Sequence, residues 1–284
     1  MPAGKFTKLL KIHWHSTKLY TNHPGLAAAG YREKRTQMKL TNKVAIITGG
    51  SRGIGRGVAE AFAREGSAIA VVGRNQAACD ETAAFIVKNG GSAIGIAADV
   101  SKEGDVARMV AETLAKLHRI DLLVNSAAVN LPYREVADLS LDDWNRLIGV
   151  NLTGIFLCCK AVLSQMKQQH YGKIINFSSI GGLSGAPGRA PYRASKAAII
   201  NFSECLAAEV KEFGIDVNTI CPCVVETDML RETKKTVAIS NIPMSPAEMA
   251  EVAVFLASPE GRAITGTTIN AFGQGNPLFY LPKK

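Results

Sequence analysis

The sequence predicts a doubly wound α/β domain: a parallel sheet of about seven strands with helices on both faces. Three observations point there. Short apolar runs recur without polar alternation, as in strands buried on both faces. Helix-like segments of about 10–20 residues separate them, the spacing of right-handed βαβ units. A glycine-rich turn follows the first run and opens a helix.

The elements follow in order. Val44–Thr48 is the first strand, ending in Gly49-Gly50, and Val58–Glu65 is the first helix, with Ala and Phe inward. Ala68–Val72 is a strand, Ala77–Lys88 a helix, Ala93–Ala97 a strand and Val106–Leu117 a helix. Ile120–Asn125 is the fourth strand, followed by one long helix over Trp144–Met166. Lys173–Phe177 is the fifth strand, Tyr192–Phe213 a second long helix and Ile215–Ile220 the sixth strand. Pro246–Leu256 is helical and Thr267–Ala271 closes the sheet. No linker or repeat interrupts this series, so residues 38–284 are expected to form one domain.

Composition narrows the classes. The chain has 284 residues, 47% hydrophobic and 20% charged, which excludes intrinsic disorder, collagen and coiled coil. No uninterrupted apolar run reaches the ~20 residues of a bilayer span. The net charge is +9, but residues 1–37 carry seven Lys/Arg against the single acid Glu33. The rest of the chain is close to neutral, so nucleic acid is not expected as a partner. Residues 1–37 form a basic extension, either an organelle transit peptide or a start placed upstream of Met38. The first implies a mitochondrion or plastid, the second the cytoplasm. The six cysteines include no Cys-x-x-Cys pair and no nearby His cluster. They are expected to be reduced, with no metal site.

Two motifs carry chemistry. Thr48-Gly49-Gly50-Ser51-Arg52-Gly53-Ile54-Gly55 lies between a strand and a helix, the context of a dinucleotide fingerprint. Gly49 allows the tight turn, Gly53 a close approach of the backbone to a pyrophosphate, and Gly55 close helix–strand packing. The helix N-terminus then offers free N–H groups to phosphate. At the end of the second strand the chain reads Val72-Gly73-Arg74, with no acid to hold a ribose 2′-hydroxyl. Arg74 and Arg52 instead favour the 2′-phosphate of NADP(H), with NAD(H) left open. The second motif is Tyr192-Arg193-Ala194-Ser195-Lys196. Positions i and i+4 share a helix face, and a nearby ammonium lowers a phenol's pKa, so Tyr192 is a candidate acid/base. Ser179 lies just beyond the fifth strand, at the carboxyl edge where cofactors sit.

With Asp99-Val100, Asn125-Ser126-Ala127-Ala128, Val150-Asn151, Ser178-Ser179 and Pro222…Thr227 in the same order, the chain resembles the short-chain dehydrogenase/reductases, from residue 38 to about 275. The resemblance implies a Rossmann-type fold and a metal-free transfer of hydride between NADP(H) and a carbonyl or secondary alcohol. It implies catalytic roles for Asn151 (holding a relay water), Ser179 (polarising the carbonyl), Tyr192 (general acid/base) and Lys196 (binding the nicotinamide ribose and depressing the tyrosine pKa). It places the cofactor on Gly49, Ser51, Arg52, Gly53, Ile54 and Arg74, the adenine by Asp99 and Val100, the riboses by Asn125 and Ala127, and the carboxamide by Val225 and Thr227. A 3-oxoacyl thioester reductase is the alternative within the class, and a non-catalytic NADP(H)-sensing or scaffolding protein the alternative outside it.

The sequence departs from the family pattern at Ala128 and Cys223, both replacing a usual glycine. Leu131, Tyr133, Leu183, Arg189 and Met229 are expected to line the substrate site, with Asp228–Pro246 as a short lid. Surplus apolar residues on the two long helices, among them Phe156 and Phe202, predict a homo-oligomer, dimer or tetramer.

Overall fold

A computed structural model describes residues 38–234 and 243–273. The basic extension, residues 235–242 of the expected lid and the tail beyond Gly273 lie outside the described residues. β1 (Val44–Thr48), β2 (Ala68–Gly73), β3 (Ser92–Ala97), β4 (Leu122–Asn125), β5 (Gly172–Phe177), β6 (Ile215–Pro222) and β7 (Thr267–Ala271) form one sheet in the order β3-β2-β1-β4-β5-β6-β7. Every pairing is parallel. The order reverses between β1 and β4, and the crevice above that switch point is where ligands bind in such sheets.

The unbroken apolar strands supply two cores at once. Alternate residues face opposite sides, so Ala45 and Ile47 of β1 pack into one core and Ile46 into the other. The first core takes Val58 and Phe62 of α1 (Gly53–Arg64), Ile86 of α2 (Gln76–Lys88) and Met249 and Val254 of α8 (Pro246–Ala257). The second takes Val106 and Met109 of α3 (Glu103–Leu117), Cys158 and Val162 of α5 (Gly154–Gln169) and Ile199 and Leu206 of α6 (Ala190–Val210).

Some boundaries differ from those expected, for local reasons. α1 begins at Gly53, where Arg56 N–H already donates to Arg52 C=O at 3.1 Å, although glycine gives no periodic signal. β4 begins two residues late, since buried Asp121 accepts from Val44 N–H at 3.0 Å and from both arms of Arg119. The expected helix Trp144–Met166 starts earlier, at α4 (Leu141–Ile148), because Ser140 Oγ caps it by accepting from Asp143 N–H at 3.1 Å. It then passes through a π-helical turn at Gly149–Thr153 before continuing as α5. By length and composition the stretch Leu141–Gln169 could cross a bilayer. Here Leu147, Ile155, Cys159 and Met166 are buried within the protein. A short helix not expected from the sequence, α7 (Asp228–Lys234), follows β6, and a Ser245–Glu248 capping box starts α8.

Candidate active site

The glycine loop and the loop after β4 meet at the switch point. Gly49 has φ +67°, and a Cβ on it would lie 2.9 Å from Ala127 Cα. A Cβ on Gly55 would strike the Gly49 carbonyl, so α1 is held hard against the loop. Thr48 Oγ1 fastens the two loops together: it accepts from Ser126 N–H at 3.2 Å and Ala127 N–H at 3.3 Å. No side chain caps α1 and no acid stands in its first turn, so its N-terminal N–H groups and positive dipole end remain available to an anion.

These loops wall a cleft of about 200 Å³. Gly49, Ser51, Arg52, Gly53 and Ile54 line it from the α1 side, and Arg74, Asp99 and Val100 from the ends of β2 and β3. Ala127, Tyr192, Lys196 and Thr227 complete it on the far side. Asp99 is oriented by Ser101, accepting from its N–H at 3.0 Å and its hydroxyl at 2.7 Å. Arg52 and Arg74 are exposed and make no ion pair among the described residues.

Two expected members lie elsewhere. The Asn125 side chain turns into the interior, where Nδ2 donates to Asn176 Oδ1 at 2.9 Å; its placement at a ribose is therefore corrected. Asn151, in the π-helical turn, is fully buried and clamps the backbone of Val129, accepting from its N–H at 2.8 Å and donating to its C=O at 3.0 Å. It thereby fixes the loop between β4 and α4 to the start of α5. A π turn inserts one residue into the helix, which aims Asn151 at this loop.

Tyr192 and Lys196 occupy the first turns of α6, with Pro191 at its start. Lys196 is 4% exposed and donates to the Phe177 carbonyl at 2.8 Å. Burial lowers its pKa to about 8. Its Nζ lies 5.7 Å from the Tyr192 ring centroid. The expected depression of the tyrosine pKa by Lys196 is not what dominates. Burial raises it, opposed by a hydrogen bond to Ser179 and the charges of Arg189 and Arg193.

Tyr192 also borders a second cleft, shared with Ile54, Ser178, Thr227 and Met229. Ser179, Val225 and Cys223 belong to this neighbour, as do Arg189 and Arg193. Of the expected substrate-lining residues, Arg189 and Met229 line it; Tyr133 and Leu183 do not, and are 45% and 47% exposed. Leu131 sits behind Arg189, its carbonyl accepting from Nη1 at 2.7 Å. Sequence reasoning quoted Ser178 and Ser195 within its motifs but gave neither a role. Ser178 Oγ donates to the Lys196 carbonyl at 2.6 Å, and Ser195 Oγ to the Tyr192 carbonyl at 2.7 Å, steadying the turn that carries both residues. Nothing in their spacing marks either.

The short chain dehydrogenase family model matches residues 43–238. The chain belongs to that family. This short-chain dehydrogenase is an oxidoreductase, as its curated relatives are. It is 39% identical over 240 residues to a 3-oxoacyl-[acyl-carrier-protein] reductase of Synechocystis sp., covering 82% of this chain and 97% of the relative. A solved 3-ketoacyl-(acyl-carrier-protein) reductase from Brucella melitensis, complexed with NADH, superposes with a TM-score of 0.78 at 30% identity, over 83% of this chain and 98% of the other. A 7α-hydroxysteroid dehydrogenase complexed with NADH and 7-oxo glycochenodeoxycholic acid gives a TM-score of 0.79 at 27% identity, over 84% and 96% of the two chains.

Proposed function

We propose that residues 38–284 form an NADP(H)-preferring reductase that interconverts a carbonyl compound and its secondary alcohol, with Tyr192 as general acid/base. The observation that carries this reading is the position of Tyr192 on the wall between the two clefts, with Ser179 lining the second of them. One cleft has the features a dinucleotide requires: a glycine loop with no room for Cβ atoms, an open helix N-terminus and two exposed arginines with no ion pair among the described residues. The other has room for a substrate.

In this reading Gly49, Ser51, Gly53 and Ile54 hold the pyrophosphate, and Arg52 and Arg74 the 2′-phosphate. Asp99 and Val100 flank the adenine, Ala127 and Lys196 the riboses, and Val225 and Thr227 the carboxamide. When bound, the nicotinamide supplies or accepts the hydride. Tyr192 O–H donates a proton to the substrate oxygen, and Ser179 O–H donates a second hydrogen bond that polarises the same carbonyl. The phenolate that forms is stabilised by the positive charges of Arg189 and Arg193, then regains a proton from solvent. Asn151 acts as a positioning residue through Val129. Placement of the reactants contributes several kcal/mol of barrier reduction, and proton transfer about 10²–10⁴-fold in rate.

The 3-oxoacyl-[acyl-carrier-protein] reductases among the relatives favour a second reading, reduction of a 3-oxoacyl thioester. The test is NADPH oxidation against acetoacetyl thioesters, diketones, quinones, sugars and steroids, run beside Tyr192→Phe. A reduced substrate that the variant no longer turns over supports the reading. NADPH binding without turnover, in either direction, would transfer support to a sensing or scaffolding role. We further propose a cytoplasmic enzyme, or an organellar one if residues 1–37 direct import, assembled as a dimer or tetramer through the face that carries Phe156 and Phe202.

A further inference from the structure

The cleft beside Tyr192 contains a charge with no protein counterpart. Arg189 stands at the N-cap of α6, three residues before Tyr192. Its Nη1 donates to the Leu131 carbonyl at 2.7 Å, which fixes the guanidinium plane. Its Nη2 is buried and has no acceptor among the described residues. Among the described residues no Asp or Glu pairs with it, and none of those lining this cleft is acidic. Arg193 adds a second cation to the wall, its own guanidinium held by the carbonyl and hydroxyl of Ser184.

A buried guanidinium nitrogen without an acceptor is costly, because charged donors lose strong hydration when desolvated. Burial accordingly depresses the Arg189 pKa. A ligand seated beside such a group can complete it. A neutral ketone would leave the charge uncompensated, whereas a carboxylate supplies both acceptor and counter-charge, in the planar geometry an arginine fork matches. Arg189 stands three residues before the proton donor and lines the same cleft, so an acid whose carboxylate lies close to its reacting carbonyl suits the site.

We propose that Arg189 binds a carboxylate on the substrate, and that the chain therefore acts on small oxo acids and the matching hydroxy acids. This rests on the reductase reading above and names the substrate class of the same site.

The test compares acetoacetate with methyl acetoacetate, which keeps the ketone and removes the charge, using the full chain with NADPH. The wild type should favour the acid over the ester in kcat/KM by about 10–100-fold, the range for one charge-assisted hydrogen bond. In Arg189→Gln the ratio should fall to near one, mainly through the KM for the acid, and Arg189→Lys should restore part of it. The ratio isolates the anchor, since any effect of Arg189 on Tyr192 acts on both substrates. A ratio near one in the wild type, or one unchanged in Arg189→Gln, overturns the proposal. If neither compound is reduced, the carbonyl panel above decides the reductase reading, and binding decides the anchor separately. Calorimetry of malonate with the NADPH-loaded protein should show saturable binding, weakened at least ~10-fold in Arg189→Gln. No binding, or equal binding to both proteins, refutes the carboxylate site. Thermal melts of each variant establish that it is folded.

Discussion

Replacing two side chains should remove the proposed preference for NADPH over NADH. Arg52 stands at the N-cap of α1 and Arg74 immediately after β2, and both line the proposed cofactor cleft. Neither is committed to an ion pair among the described residues, so removing one strands no partner. A charge-assisted hydrogen bond contributes roughly 1.5–3 kcal/mol. Both side chains are exposed, and solvent screening reduces this to about 1–2 kcal/mol each. Arg74→Ala and Arg52→Ala should therefore weaken NADPH about 5–30-fold apiece. The double variant should lose about 100-fold, less than the product, because both arginines serve one phosphate. NADH lacks that phosphate, and its Kd should move no more than ~2-fold in Arg74→Ala. Arg52 also adjoins the pyrophosphate loop, so Arg52→Ala should affect NADH somewhat more. Nucleotide fluorescence titrations give all these constants without a known substrate. Raising salt from 0.05 to 0.5 M should erode the wild-type preference as the Debye length shrinks below about 10 Å. A double variant whose NADH-to-NADPH Kd ratio stays within twofold of wild type would refute the assignment.

Burial of Lys196 penalises its charged form, with a pKa near 8 in the fold against 10.5 for the free side chain. That penalty is fully present below pH 8 and disappears as pH rises toward 10.5. Urea unfolding from pH 7.5 to 10 should show wild-type stability rising relative to Lys196→Met by about 2–3 kcal/mol, and parallel curves would disprove it. Gly49→Ala combines a left-handed φ with a Cβ 2.9 Å from Ala127, and should cost about 2–4 kcal/mol. Calorimetry should read this as a Tm lower by about 5–15 °C; a shift under 2 °C would contradict the geometry. Phe156 is 45% exposed and stacks edge-on with Phe202 at 6.5 Å. Phe156→Asp should convert the expected oligomer to monomer in size-exclusion chromatography with light scattering, and a wild-type monomer at micromolar concentration would end that proposal.

Short runs, most of them apolar, spaced by helical segments located all seven strands, and the glycine loop and the Tyr192–Lys196 pair announced the two sides of the cleft. These signals are local, so a single sequence displays them. What stayed hidden depends on distant partners. The π turn at Gly149–Thr153 adds one residue to a helix whose apolar pattern on either side looks continuous. Asn125 reads as a loop polar group, yet it ends β4 facing α5 and α6, a fact set by the pleat. The tyrosine pKa turned on burial, which the i, i+4 spacing with Lys196 does not express. The orphaned Nη2 of Arg189 depends on Leu131, 58 residues away in the chain.

A row of polar residues crosses the sheet just below the cleft. Thr48, Asn125, Asn176, Thr219 and Thr268 are successive register partners on β1, β4, β5, β6 and β7. Asn176 passes the connection on, donating to Ser203 of α6 at 2.9 Å. This row is a vernier for the sheet. Sliding β4 or β5 by one position would turn its asparagine to the opposite core, parting Asn125 from Asn176 or Asn176 from Ser203. Aliphatic strands of similar shape would otherwise tolerate several alignments. The alignment sets the heights at which the chain leaves β1, β4 and β5, and so brings the glycine loop, Ala127 and Ser179 to one level. Tolerance to mutation should therefore be lower in this row than in the aliphatic layers beneath it, although none of its side chains lines either cleft.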